Sequence, residues 1–191
     1  MTTSTAKTVL IPLADGCEEL EAVTIMDLLV RAGAKVIRAG LKPGVVTAAR
    51  GTQLMPDATL DDVMEENFDL IALPGGLPGV DHLMNDPRLK QLMERQNQQQ
   101  KPLAAICAAP KALVHAGVAQ GKSITCYPGA LEGQTEEVRS GNTRLTGTAV
   151  EIDGHLVTSR GPGTALDFAL VLIEKLFDRS KKEEVEAGLV R

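Results

Sequence analysis

Short, almost uninterrupted apolar runs alternate with longer segments of helical character along this chain. Strands that are buried on both faces have such runs, and they occur in parallel sheets covered by helices. The alternation therefore predicts an α/β fold, with a doubly wound, mostly parallel sheet between helices. The predicted strands are 8–13, 35–39, 69–73, 102–106 and 123–126, and the predicted helices are 18–31, 86–100, 108–116 and 164–177.

Two β-hairpins are also predicted at the edge of the sheet. Each has a turn signal between two short runs rich in β-forming residues, and Asp-Gly is a strong signal for a two-residue turn. The segment 132–148 has no pattern that indicates a structure. The hairpins are 45–48 with 53–55, around Arg50-Gly51, and 149–152 with 155–159, around Asp153-Gly154.

The length of the chain predicts a single domain over residues 1–191. A chain of this size buries a full core without disulfides and is short for two ordinary domains. No internal repeat or linker divides it. We expect the core to span about 7–177, followed by a charged C-terminal tail on the surface.

Composition excludes several classes of partner. The chain has 20 Lys and Arg against 25 Asp and Glu, and only 2% aromatic residues, so nucleic-acid binding is not expected. It has no apolar run long enough to cross a bilayer and a polar first segment without the pattern of a signal peptide. Its three cysteines lack metal-site spacing, which predicts free thiols in a cytoplasmic protein without a metal.

Cys107 is the strongest candidate for chemistry. It follows the buried run 103–106 directly and precedes a predicted helix, so it lies at the carboxyl edge of the sheet, where α/β proteins bind ligands. A side chain on such a sharp strand-to-helix turn resembles a nucleophile elbow. The positive end of the helix is expected to lower the pKa of the thiol. The alternative is an inert, buried cysteine.

An acidic run at the start of the first helix supplies a candidate partner for the sulfur. The helix dipole alone accounts for acidic residues there. Glu19 and Glu21 each share a face of the predicted helix with apolar residues further along it, so spacing does not decide which carboxyl points inward. A carboxyl next to a thiolate is expected to be protonated, since two adjacent anions repel each other. It would then move a proton to or from the sulfur.

Other residues at this edge of the sheet are weaker candidates for a catalytic role. The amides of Gly75 and Gly76 are placed to hold a developing oxyanion, although a simple tight turn also explains the pair. His115 lies eight residues beyond Cys107 on the predicted helix, about 12 Å along its axis, and is too far to act as a direct base. A glutamine amidotransferase would need a His-x-Glu after a late strand, and this chain has His155 without that glutamate.

Four motifs in one order resemble the DJ-1/PfpI (ThiJ/PfpI) superfamily, and within it the DJ-1 branch. The resemblance covers about 7–177. It implies a flavodoxin-like fold, a homodimer and no cofactor. The motifs are Gly16-Cys17-Glu18-Glu19-Leu20-Glu21, Leu73-Pro74-Gly75-Gly76, Ala105-Ile106-Cys107-Ala108-Ala109-Pro110 and Ser159-Arg160-Gly161-Pro162-Gly163-Thr164.

The resemblance also implies roles for single residues. Cys107 corresponds to the reactive, oxidation-sensitive cysteine of the family, and Glu21 to its protonated glutamate. Backbone donors for an oxyanion correspond to Gly75, Gly76 and Ala108. Arg160 matches a position near the pocket. The dimer face is assigned to Asp27, Arg31 and Arg50.

The chain departs from the family pattern in two places. Tyr127-Pro128 occupies a position where members often have a histidine before a proline, and Ala108 follows Cys107 where PfpI-type peptidases have a histidine. The second departure argues against a peptidase. A tyrosine phenol titrates near 10, so Tyr127 is expected to bind a ligand oxygen rather than act as a base. Cys126 is a further candidate, as a resolving thiol for oxidised Cys107.

Two functions are compatible with this site. One is an enzyme that acts on small reactive carbonyls, of the glyoxalase III or protein deglycase type, in which the Cys107 thiolate adds to an α-oxoaldehyde or to its adduct on a protein. The other is a non-enzymatic sensor or chaperone for oxidised or glycated proteins, which signals through oxidation of Cys107. Whether the chain is an enzyme stays open at this point.

Overall fold

The computed structural model describes residues 6–191 and confirms the α/β fold. The polar first segment therefore lies largely outside the described residues. Most predicted strands and the longer helices form within a few residues of their expected bounds. The strands are β1 (Thr8–Leu13), β2 (Lys35–Gly40), β3 (Val46–Thr47), β4 (Gln53–Leu54), β5 (Ala58–Thr59), β6 (Leu70–Leu73), β7 (Leu103–Ile106), β8 (Ser123–Ile124), β9 (Arg144–Leu145), β10 (Val150–Asp153) and β11 (Leu156–Ser159).

Helices cover both faces of the sheet and connect most of its strands. In the helix Pro87–Gln98 (α4), Pro87 is the first residue, where its missing N–H is harmless, and the Asp86 carboxylate caps the helix by accepting from Arg88 N. The helices are α1 (Glu19–Arg31), α2 (Leu60–Val63), α3 (Gly79–Met84), α4 (Pro87–Gln98), α5 (Pro110–His115), α6 (Thr135–Ser140), α7 (Ala165–Leu176) and α8 (Arg179–Ala187).

The central sheet has seven strands in the order β10-β11-β7-β6-β1-β2-β5. All neighbouring strands are parallel except β10, which pairs antiparallel with β11 through the predicted Asp153-Gly154 hairpin. β1 runs between β2 and β6, and β7 runs between β6 and β11. This order brings the ends of β1, β6 and β7 together at one edge.

Alternation along β1 divides the core into two layers. Leu10 packs on the face that carries α3, α4 and α5, whereas Val9 and Ile11 pack on the face covered by α1 and α7. Each of these side chains is fully buried. Burial of one such aliphatic side chain stabilises the fold by about 1.5–3 kcal/mol, so both layers contribute to holding the sheet rigid beneath the site.

Two predictions about the sheet are wrong. The Arg50-Gly51 hairpin forms, but β3 and β4 pair only with each other. The sheet edge is instead β5, because Asp57 N–H donates to the Arg38 carbonyl and the two side chains form an ion pair that holds the chain against β2. β8 likewise pairs with β9 outside the central sheet.

The charged tail is a helix rather than an irregular surface segment. Asp178 caps the start of α8, and its carboxylate accepts from Lys181 N. It packs against α7 and buries Val185. Across residues 6–191, every helix is too short or too polar to span a bilayer.

Candidate active site

Cys107 sits at the corner between β7 and α5, in a backbone conformation that is unusual for a residue with a side chain. Its φ is +64°, in the left-handed region. Two main-chain hydrogen bonds hold it there. Its N–H donates to the Ser159 carbonyl at 2.9 Å, and its own carbonyl accepts from Tyr127 N at 2.7 Å. The corner aims a partly exposed side chain out of the sheet edge, as expected for a nucleophile elbow.

Glu21 is the acidic residue that reaches this corner. It is fully buried on α1, and its Oε2 accepts from Gly75 N at 2.8 Å. Its Oε1 is buried without a partner of hydrogen-bond geometry among the described residues, although the Cys107 sulfur lies close enough to affect its pKa. Glu19 points away and accepts from Arg50 N and Thr52 N. The choice that spacing left open is therefore decided in favour of Glu21.

Gly75 fits between the carboxyl and the cysteine because it has no side chain. A Cβ atom built on Gly75 would lie 2.6 Å from Cys107 Cβ and 2.6 Å from Glu21 Oε2. Gly76 has a φ of +92°, and a Cβ there would lie 2.4 Å from Glu18 N. Distances below 3 Å leave no room for a methyl group, so both glycines are needed for the close approach of β6, β7 and α1.

The acid and the thiol both titrate above their ordinary ranges. Burial raises the pKa of Glu21 from 4.5 to about 7, against the opposing hydrogen bond from Gly75. Burial, together with the negative charge of Glu21, raises the pKa of Cys107 from 9.0 to about 12. Two adjacent buried anions repel each other, so the pair holds at most one negative charge at neutral pH.

The predicted lowering of the Cys107 pKa is therefore wrong. The amides of Ala108 and Gly76 do favour the thiolate by hydrogen bonding to it. However, α5 begins only at Pro110 and has six residues, and burial outweighs these donors. A nucleophilic sulfur must consequently lose its proton to a neighbour as it reacts, and Glu21 is the acceptor in place.

A cavity of about 670 Å³ opens over the sulfur. Gly76 and Ala108 line it beside Cys107, and Tyr127 forms part of its wall with 52% of its surface exposed. Arg160 does not line this cavity. It lines a neighbouring one of about 300 Å³, where its Nη1 donates to the Gly147 carbonyl at 2.6 Å.

The residues expected at a dimer face lie on α1 and at the mouth of the cavity over Cys107. Asp27 and Arg31 form an exposed ion pair on α1, with Nε to Oδ2 at 2.7 Å. Arg50 instead lines the cavity over Cys107, and its Nη2 lies 3.9 Å from Glu18 Oε2. Arg50 therefore belongs to the mouth of the candidate site.

Two charged residues of this cavity, Glu18 and Glu132, were given no role at the site from the sequence. Glu18 lies in the acidic run, where helix capping is a sufficient explanation for its charge. Glu132 lies in the segment 132–148, which has no readable pattern. A signal was present for Glu18, next to the residues already singled out, but none for Glu132.

The remaining cysteines and the histidines are poorly placed for catalysis. Burial raises the pKa of Cys17 to about 11, and burial also raises the pKa of Cys126 although the charge of Arg160 opposes it. His82 lies on a separate cavity of about 330 Å³ that contains no cysteine. Within residues 6–191, no three His, Cys, Asp or Glu side chains converge as metal ligands would.

Known proteins share this fold over nearly the whole chain. The crystal structure of Drosophila melanogaster DJ-1beta superposes with a TM-score of 0.91 at 41% identity, covering 97% of this chain and 98% of that one. The sequence profile of the DJ-1/PfpI family matches residues 7–175. The chain belongs to the DJ-1/PfpI family.

Two curated members of the DJ-1/PfpI family illustrate the range of the match. Protein DJ-1 homolog A of Arabidopsis thaliana is 42% identical over 189 residues, which are 98% of this chain but 47% of that protein. The chain thus spans about half the length of this plant relative. A Caenorhabditis elegans protein named glutathione-independent glyoxalase DJR-1.2 is 36% identical, over 88% of this chain and 87% of its own length.

Proposed function

We propose that this DJ-1/PfpI protein protects against reactive carbonyls, as a cofactor-independent glyoxalase or protein deglycase that uses Cys107. The observation that carries the proposal is the buried Glu21 carboxyl beside the cysteine, held on Gly75 N at 2.8 Å under an open cavity. An acid whose pKa is about 7 both accepts and returns a proton at neutral pH. The name of the C. elegans relative, a glyoxalase, supports the same chemistry.

The first step forms a carbon–sulfur bond. Cys107 Sγ attacks the aldehyde carbon of an α-oxoaldehyde such as methylglyoxal, and Glu21 takes the thiol proton as the bond forms. The amides of Gly76 and Ala108, which already face the sulfur, hold the oxygen that becomes negative. Glu21 then returns that proton to the oxygen, which gives a hemithioacetal on Cys107 and leaves the carboxylate free for the next proton transfer.

The second step rearranges the bound molecule without an external oxidant. The proton on the former aldehyde carbon moves to the neighbouring ketone carbon by way of an enediol, with the Glu21 carboxyl as carrier. The aldehyde carbon is oxidised to a thioester and the ketone carbon is reduced to an alcohol, so electrons balance within one molecule. Water then cleaves the thioester, which releases lactate and restores the thiol.

Adducts of the same aldehydes on proteins follow a related course. The adduct carbon that bears the amino or thiol group is attacked by Cys107, and that group leaves with a proton returned from Glu21. This leaves the same hemithioacetal on Cys107, which then reacts as it does with the free aldehyde. The partners of this reaction are small reactive carbonyls and glycated proteins.

Replacement of Cys107 by serine tests the proposal. We expect wild-type protein to convert methylglyoxal to lactate and Cys107→Ser to form lactate no faster than buffer alone, because the hydroxyl is a poorer nucleophile. Cys126→Ser is the matched control, since Cys126 lies in the neighbouring cavity, and should retain the wild-type rate. Equal rates for wild type and Cys107→Ser would exclude a Cys107-dependent enzyme.

Oxidation sensing by the same sulfur is the second candidate function. It is favoured by the amides of Ala108 and Gly76, which would hold the oxygens of a sulfinate as well as a thiolate. At low peroxide, mass spectrometry should find added oxygen on Cys107 before Cys17 or Cys126. Equal oxidation of all three thiols would count against a dedicated sensor.

The homodimer is likewise a proposal, with α1 as its face. Leu20, Val23 and Val30 expose 52%, 45% and 58% of their surfaces on this helix, around the Asp27–Arg31 ion pair. We expect sedimentation at twice the 20.3 kDa chain mass. Val30→Asp should shift the protein to monomer, because a buried carboxylate would face an apolar partner.

The control for this experiment is an equally exposed apolar residue elsewhere. Ile152 exposes 52% of its surface on β10, a strand at one edge of the central sheet. Ile152→Asp should leave the sedimentation coefficient unchanged. A monomeric wild type, or equal effects of both substitutions, would contradict a dimer formed through α1.

A further inference from the structure

A second cavity lies at the carboxyl edge of the sheet, away from Cys107. Its volume is about 330 Å³, and it shares no lining residue with the cavity over Cys107. Because it contains His82, we call it the His82 cavity. Ligand sites in proteins begin at about 300 Å³, so the His82 cavity is large enough for a small molecule of one or two rings.

The His82 cavity lies where open α/β sheets bind ligands. The helix that follows β1, α1, covers one face of the sheet, whereas the helix that follows β6, α3, packs on the other face. The crevice between two such strands, at their carboxyl ends, is the usual ligand position in this kind of sheet. The His82 cavity is built from the end of β1, the residues after β2 and one side of α3.

The floor of the His82 cavity is apolar. Leu13, Ala14 and Val46 line it and are each at most 3% exposed, and the half-buried Leu41 lies beside them. These side chains are held by the core, so the floor exists before a ligand arrives. It favours a ligand with an apolar body, because such a body removes apolar surface from water.

The charged side chains around this floor are engaged with one another. Each charged residue of the lining is in an ion pair, and the pairs are Asp15–Lys42, Asp81–Lys111 and Asp86–Arg88, with N to O distances of 2.7, 2.7 and 2.6 Å. A charged ligand would lose its water here without gaining a free counter-charge. The His82 cavity therefore favours an uncharged ligand.

Asn85 supplies the polar contact that the floor lacks. Its Nδ2 donates to the Asp81 carbonyl at 2.8 Å, which fixes the plane of the side-chain amide. The second N–H of Nδ2 and the Oδ1 acceptor remain for a ligand, and a donor beside an acceptor is the complement of another amide. His82 lies three residues earlier on the same side of α3 and lines the same cavity.

We propose that the His82 cavity is a second small-molecule site, which binds uncharged aromatic amides. The amide of the ligand pairs with the side chain of Asn85, and the ring lies on the apolar floor beside His82. This site is separate from Cys107 and does not depend on the proposed function.

Benzamide and benzoate are the matched probes, because they have the same ring and shape and differ in donor and charge. Each is titrated into ¹⁵N-labelled wild-type protein at pH 8, and the shifts of the main-chain amides are followed by NMR. We expect saturable changes with benzamide at Ala14, Leu41 and Asn85. Benzoate should bind more weakly by about tenfold, because it has no donor for Asn85 Oδ1 and carries a charge.

Asn85→Ala is the decisive variant. Asn85 is exposed, so its loss should leave the fold intact. We expect benzamide affinity to fall by about tenfold while benzoate affinity stays the same, so that the preference for the amide disappears. Gln91→Ala is the matched control, since Gln91 is an exposed side-chain amide on α4 that does not line the His82 cavity, and it should keep the wild-type preference.

The location of the shifts separates the two cavities. Shifts centred on Gly76, Ala108 and Tyr127 would place benzamide over Cys107 and overturn the proposal. It is equally overturned by the absence of saturable shifts, by equal affinities for the two probes, or by equal effects of Asn85→Ala and Gln91→Ala. Cys107→Ser should bind benzamide as the wild type does, so failure of the proposed carbonyl chemistry would leave this site intact.

Discussion

Glu21→Gln is expected to lower kcat/KM for methylglyoxal by about a thousandfold, which is within the usual contribution of a positioned proton-transfer group. Glutamine keeps the shape of the side chain and can still accept from Gly75 N, but it cannot take the proton of the Cys107 thiol. The raised pKa of that thiol makes the loss severe, because few molecules would carry a thiolate at neutral pH.

Lactate formation as a function of pH is the measurement for this variant. In the wild type, the rate should rise with pH through an apparent pKa near that of Glu21, about 7, as the carboxyl becomes able to accept a proton. The variant should lose this rise. Glu19→Gln is the control on the same helix, since Glu19 points away from Cys107, and it should keep both the rate and the pH profile.

Glu21→Gln should also make the folded protein more stable than the wild type at alkaline pH. The pKa of Glu21 is higher in the folded protein, about 7, than its ordinary 4.5, so the folded state holds this proton more tightly. The resulting stabilisation is complete below about pH 4.5 and is lost as the pH rises through 7. The difference corresponds to about 3 kcal/mol.

Urea unfolding at pH 5 and pH 8 shows whether the free energy of unfolding of the wild type, relative to Glu21→Gln, falls or rises with pH. Relative to Glu21→Gln, the wild type should be less stable at pH 8 by most of that amount and nearly equal at pH 5. A wild type that gains stability relative to the variant between these pH values would show that the buried carboxyl is favoured in its charged form, contrary to the burial of Glu21.

Gly75→Ala should damage both stability and the site. The new methyl group would overlap Cys107 Cβ and Glu21 Oε2, each 2.6 Å away, and both of these atoms are fixed by the backbone or by burial. Overpacking of this kind destabilises a fold by about 1–3 kcal/mol, and displacement of either side chain separates the acid from the thiol. We therefore expect a lower urea midpoint together with loss of lactate formation.

A second glycine provides the comparison. A Cβ on Gly133 would lie in open space, with no heavy atom of the described residues beyond its chain neighbours within 4 Å, and its φ is not positive. Gly133→Ala should change the unfolding free energy by less than about 1 kcal/mol, in either direction. Equal destabilisation by the two substitutions would mean that Gly75 has room for a methyl group.

Long apolar strands were predictable from the sequence, whereas short elements held by side chains were not. The segments that form β1 and β7 are apolar almost throughout, so their composition alone predicts burial on both faces. β5 has only two residues, and it joins the sheet because the Arg38–Asp57 pair fixes the preceding residue. No local pattern indicates a contact between side chains 19 positions apart.

The central pair of the site, Cys107 and Glu21, was among the residues singled out from the sequence, but the electrostatics of the site were not predictable. The position of Cys107 after a buried strand follows from the sequence. The inward direction of Glu21 depends on Gly75 N, 54 positions away, and helical spacing alone cannot distinguish it from Glu19. The prediction that the thiol has a lowered pKa used only the position of Cys107 before a helix. Burial, which raises this pKa, depends on how the whole chain packs around the sulfur.

The two main-chain hydrogen bonds at residue 107 come from Ser159 and Tyr127, and neither involves the sulfur. The geometry of the corner is thus independent of which side chain projects from it. Asparagine tolerates a positive φ better than most residues, and it should occupy this corner with the fold preserved. The backbone at residue 107 can therefore present other reactive side chains in the same position, which makes this corner a starting point for engineering other chemistries.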